Sequence, residues 1–110
     1  MADFMQVVTT VDGEEAAERL TRGITGARLA ACVQIVGPVK SVYWWQGELA
    51  EAREWQLLIK TTTARIAELE AYIKENHSYD IPEITATVIS GGSDEYLDWI
   101  TAETRIDASS

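Results

Sequence analysis

The densest run of chemistry-bearing side chains in the sequence is His77-Ser78-Tyr79-Asp80-Ile81-Pro82-Glu83. It gathers an imidazole, a phenol and two carboxylates. Imidazole together with carboxylate suits Cu(II), Zn(II) or Ni(II), so His77, Asp80 and Glu83 are the candidate metal ligands. Three modest ligands make a weak site unless copies of the segment meet around an axis. A structural reading competes with this one. His77 would help to end a helix beside its C-terminal dipole, and Pro82 would fix the entry to a strand. Spacing alone favours the structural reading.

Other chemistries find less support. His77 is the single histidine, which excludes a zincin pair within one chain. Ser78 and Asp80 lie near it, but no Gly-x-Ser-x-Gly elbow accompanies them, so a hydrolase triad is not expected. Neither the Gly-x-Gly-x-x-Gly nor the Gly-x4-Gly-Lys-Ser/Thr phosphate cradle occurs. Gly91-Gly92-Ser93 reads as a turn and helix cap, because Asp94 and Glu95 would repel an anion there. Cys32, the only cysteine, sits between apolar neighbours and reads as a small hydrophobe. No internal disulfide is possible, and no enzyme active site is recognisable.

The elements that must position these residues follow from patterning. Phe4 to Val11 reads as a strand. Asp12 and Glu15 form a capping-box-like start to a helix that carries Ala16, Leu20, Ile24 and Ala27 and ends near Gly26. Leu29 to Val36 is a second strand, interrupted by Gly37-Pro38 and resumed from Val39 to Trp45. Gln46-Gly47 is a tight turn. The return strand, within Leu49 to Thr63, places Trp55, Leu57, Ile59 and Thr61 on one face and Glu54, Gln56 and Lys60 on the other. Thr63 caps a helix with Ile66, Leu69, Tyr72 and Ile73 on its apolar face. His77 to Pro82 is a loop, Ile84 to Ile89 a strand, and Ser93 caps a last short helix carrying Tyr96, Leu97, Trp99 and Ile100. Thr104 to Ser110 reads as a frayed tail. The order is that of the split βαβ, or ferredoxin-like, α+β arrangement. Residues 1–110 form a single domain with an ordered core over about 4–103.

Composition sets the remaining bounds. A chain of 110 residues, 46% hydrophobic and 25% charged, can bury one core without staples. Its formal charge of −9, from 18 acidic and 9 basic residues, argues against nucleic acid and anionic lipid as partners. It suits cations, or simple solubility. No basic segment followed by an apolar run opens the sequence, and no apolar stretch nears the ~18 residues of a membrane span. The expected compartment is the cytoplasm.

The central hairpin is unusually long for so small a domain. Ala31 to Gln46 could reach about 50 Å when extended, against a radius of gyration of about 13 Å for a compact domain of this size. Its tip carries Val42, Tyr43, Trp44 and Trp45. An exposed aromatic edge of this kind needs a cover, and another copy of the chain is the simplest one. Alternatively, Gly37-Pro38 folds the hairpin back onto its own sheet.

Several stretches, taken in order, resemble the CutA family of divalent-cation tolerance proteins. They are Leu29-Ala30-Ala31-Cys32-Val33, the segment Ser41-Val42-Tyr43-Trp44-Trp45-Gln46-Gly47-Glu48, and Glu54 with Lys60-Thr61. The family's His-Pro-Tyr-Glu-x-Pro-Glu pattern appears as His77 to Glu83, and Tyr96-Leu97-Asp98-Trp99-Ile100 matches the closing segment. The resemblance covers nearly all of residues 4–103. It implies a ferredoxin-like subunit, a homotrimer with sheets packed edge to edge, and a role in tolerance to copper and other divalent metals. It also implies architectural similarity to the PII signalling trimers, which bind small ligands between subunits. Carried over by residue, His77, Tyr79, Asp80 and Glu83 line the motif loop, and Tyr43, Trp45 and Lys60 lie near an intersubunit cleft that Tyr79 also faces. Ser78 in place of Pro and Asp80 in place of Glu depart from the pattern, and either change could weaken a ligand site.

The leading expectation is a non-enzymatic homotrimer that binds Cu(II) or a similar divalent cation weakly through His77 and nearby carboxylates, with no organic cofactor. One His, one Cys and two Met are too few for a high-affinity copper store. The alternatives are a PII-like small-molecule sensor, with Lys60 and Tyr79 facing an anionic ligand, and a trimeric scaffold.

Overall fold

The computed structural model describes residues 3–105. The elements are β1 (Phe4–Val11), α1 (Glu14–Gly26), β2 (Cys32–Trp45), β3 (Glu48–Thr62), α2 (Ile66–Asn76), β4 (Thr85–Val88) and α3 (Asp94–Glu103). The strands form one sheet in the order β2-β3-β1-β4, antiparallel throughout. The expected split βαβ order is therefore present: β3 lies between β1 and β2, which the α1 crossover connects.

Strand alternation decides which face meets the helices. Val7, Val11, Leu57 and Ile59 pack with Ala17, Leu20, Ile24, Leu69 and Ile73 of α1 and α2 into the core. The other face of β3 carries Glu54, Gln56, Leu58 and Lys60. Against β3 also lies α3, whose Tyr96 neighbours Cys32, the register partner of Lys60. Ile100 of α3 is fully buried yet separate from the α1–α2 core, so the short helix covers part of the second face. An Arg28–Glu103 ion pair at 2.8 Å ties it to the end of α1.

The ends of the elements correct the sequence reading in several places. No capping box forms: Gly13, extended and without a side-chain cap, precedes α1, and Glu14 and Glu15 occupy its first turn, where the dipole favours them. Leu29 and Ala30 are core residues outside the ladder, and the Leu29 carbonyl accepts from Thr61 Oγ1 at 2.7 Å. A 3-10 turn, Thr63–Arg65, precedes α2. The last strand is shorter than expected. Ser93 does cap α3, its Oγ accepting from the Tyr96 N–H at 3.3 Å. Thr104 is not frayed: it is 2% exposed and donates to the Ile100 carbonyl. The rest of the expected tail, from 106, lies outside the described residues.

Gly37-Pro38 does not fold the hairpin back. The β2–β3 ladder shifts register between Val36 and Val39 and continues to Trp45↔Glu48. Gln46 and Gly47 close it with positive φ at both positions (51° and 81°), as a two-residue hairpin turn of matching twist requires. The chain measures 48 × 30 × 22 Å. At the tip, Trp44 is 74% exposed, and Val42, Trp45 and Leu49 are also open to solvent. Among the described residues no helix is long and apolar enough to cross a membrane.

Candidate functional site: a cleft between the hairpin and the loop after α2

The loop that leaves α2 is held by its histidine. His77 Nε2 lies 2.7 Å from the Thr10 carbonyl, and Nδ1 accepts the Tyr79 backbone N–H at 3.1 Å. The two contacts fix the tautomer: Nε2 carries the proton and donates, while Nδ1 is the bare acceptor. The His77 and Tyr79 rings lie with centroids 4.8 Å apart. Tyr79 then reaches β3, its hydroxyl donating to Glu54 Oε2 at 2.8 Å. Burial, followed by the bond to Glu54 and its charge, pushes the Tyr79 phenol well above its usual range.

These contacts build one wall of a cleft of about 480 Å³. The loop contributes Tyr79, Asp80, Ile81 and Glu83. The hairpin contributes Ser41, Tyr43, Trp45 and Glu54, and β1 contributes Thr10. By register, the strand residues share the sheet face away from α1 and α2. Among the described residues, no lysine or arginine lines the cleft. Glu54 is 8% exposed, and among the described residues no ion pair includes Glu54, Asp80 or Glu83.

The expected site residues divide accordingly. Tyr43, Trp45, Tyr79, Asp80 and Glu83 come together in the cleft. Lys60 does not join them within one subunit. It lies six residues along β3 from Glu54, about 20 Å, and its Nζ donates to Gln34 Oε1 at 2.6 Å. His77 stands behind Tyr79 with both ring nitrogens engaged. Among the described residues of one subunit, no three of the His, Cys, Asp and Glu side chains form a group able to hold a metal. The cleft residue that the sequence reading did not count as a site residue is Glu54, placed there on the strand face opposite Trp55 and among the family-matching positions. Alternation cannot show that a loop some 25 residues later will cover it.

Together these observations define a class: an antiparallel α+β domain with a projecting apolar hairpin and an acidic, aromatic cleft along the hairpin's outer half. Residues 5–103 match the family described as CutA1 divalent ion tolerance protein, and the chain belongs to that family. It is 45% identical over 98 residues to the divalent-cation tolerance protein CutA of Thermus thermophilus, covering 89% of this chain and 95% of the relative. It is 43% identical over 99 residues to the rice chloroplastic protein CutA 1, covering 90% of this chain. The match spans only 56% of that rice relative's length. The crystal structure of CutA1 from Oryza sativa is similar with a TM-score of 0.93 at 40% identity, over 96% of this chain and 97% of that one.

Proposed function

We propose that the chain is a non-enzymatic divalent-cation tolerance protein that works as a homotrimer and binds Cu(II) or a similar cation weakly at its cleft. The observation that carries this reading is the set of three carboxylates, Glu54, Asp80 and Glu83, facing one cleft without a cationic side chain. The names of the relatives support the tolerance role, and the uncovered hairpin tip supports the assembly. In this reading the exposed Asp80 and Glu83 carboxylates meet the ion, and His77 acts as a positioning residue that orients their loop. A carboxylate-rich, dispersed donor set gives low affinity, which accords with handling an excess ion rather than storing it. The anionic-ligand alternative draws no support from Lys60, which is bonded to Gln34 away from the cleft.

The test is a calorimetric Cu(II) titration of the purified oligomer, with its mass read by light scattering. The expected mass is three times the 12.2 kDa of one chain. Saturable heat in the wild type, lost in the Asp80→Asn/Glu83→Gln double variant, supports the reading. Equal, non-saturating heats in both proteins would overturn it.

A further inference from the structure

Glu54 poses a problem that the metal reading leaves open. Glu54 as a residue is 8% exposed, and among the described residues the hydrogen bond it accepts comes from a neutral phenol, on Oε2. Among the described residues no ion pair neutralises it. The carboxylate opens onto a solvent-connected cleft of small-ligand size, where it can meet a cation from solution. Tyr43, Trp45 and Tyr79 wall the same space. Among the described residues no three ligating side chains form a closed metal cage around Glu54 within one chain. A charge spread over an organic group, with N–H donors and a carbon stem, fits better: the donors meet Glu54 and the stem lies on the rings.

We propose that the cleft binds a small organic ammonium ion, its charged nitrogen against Glu54 and its apolar stem against Tyr43, Trp45 and Tyr79. The inference stands apart from copper binding, since Cu(II) would meet the outer Asp80 and Glu83 and the ammonium the inner Glu54. The ring faces contribute cation–π attraction, strongest at tryptophan. The carboxylate selects charge: a neutral molecule of the same shape leaves Glu54 unpaired.

The experiment titrates the full-length oligomer with n-butylamine at neutral pH, where it is protonated, and with 1-butanol, followed by calorimetry and by indole resonances in NMR. Saturable binding of the amine and none of the alcohol is expected. Glu54→Gln, which keeps an acceptor for Tyr79, should weaken the amine about tenfold or more, and Trp45→Leu about threefold. The Asp80→Asn/Glu83→Gln protein should still bind the amine, which separates this result from the outcome of the copper titration. Equal response to amine and alcohol would overturn the proposal, as would undiminished amine binding by a Glu54→Gln protein with wild-type circular dichroism. So would no binding of either probe, the outcome expected if a side chain of a second copy already neutralises Glu54.

Discussion

The Tyr79 hydroxyl donates to Glu54 Oε2 at 2.8 Å, joining the loop after α2 to the middle of β3. Two walls of the cleft thus share one hydrogen bond, made to Glu54, a residue that is 8% exposed. Bonds to charged acceptors are among the stronger ones in proteins, and their loss leaves the acceptor bare.

Tyr79→Phe is therefore expected to cost about 1–2 kcal/mol, read as a lower urea midpoint at neutral pH. The same bond has a pH signature. The folded state holds the phenol above its ordinary value near 10, so above that pH the unfolded chain loses the proton first. Stability from this group is complete below about pH 10 and falls as pH rises further. Denaturation curves should show a shallower alkaline loss in Tyr79→Phe than in the wild type. Parallel alkaline arms would contradict the assignment.

His77→Ala removes the contact with the Thr10 carbonyl and the acceptor for the Tyr79 amide. The expected cost is about 1–3 kcal/mol, felt first in the loop. Hydrogen exchange at the Tyr79 amide should accelerate by more than the change in global stability accounts for.

Gly37 sits at the register shift of the hairpin, pressed against Trp55. A Cβ there would lie 2.5 Å from the indole Cδ1 and 3.1 Å from the Trp55 Cα. Because one of those atoms is backbone, relief needs a shift of the ladder itself. Gly37→Ala should destabilise by about 1–3 kcal/mol, measured as a reduced urea midpoint with unchanged slope.

Trp44 and Leu49 face each other across the ladder near the tip and are both exposed in one subunit. If another copy covers them, Trp44→Asp places a charge in an apolar contact. Light scattering should then report a smaller species than the wild type at equal concentration. An unchanged mass would place the interface elsewhere.

Most of the fold was legible because local chemistry and global packing agree. Trp55, Leu57, Ile59 and Thr61 alternate toward the helices, Gln46-Gly47 closes the hairpin, and Ser93 caps α3, each from residues a few positions apart. The errors lie where tertiary contacts override local signals. Asp12 looked like a cap, but α1 starts after Gly13. Leu29 looked like strand, but its position as a plug between α1 and the sheet takes it out of the ladder. The cleft was half legible: aromatic residues and the loop carboxylates were visible in the sequence. Glu54 and Lys60 lie on one face of one strand, as alternation predicts, yet only Glu54 is met by the Tyr79 loop. That difference depends on how far along β3 the loop crosses, which no local pattern encodes.

The most direct measurement is the electron paramagnetic resonance spectrum of the purified protein loaded with less than one Cu(II) per chain. With both His77 nitrogens engaged and carboxylates lining the cleft, the expected spectrum shows oxygen coordination. It should keep its oxygen-coordinated form in His77→Ala, though at weakened affinity because the loop is less well held, and disappear in Asp80→Asn/Glu83→Gln. Nitrogen hyperfine structure that vanishes with His77→Ala, or a spectrum indifferent to the carboxylates, would contradict metal binding at the cleft as proposed.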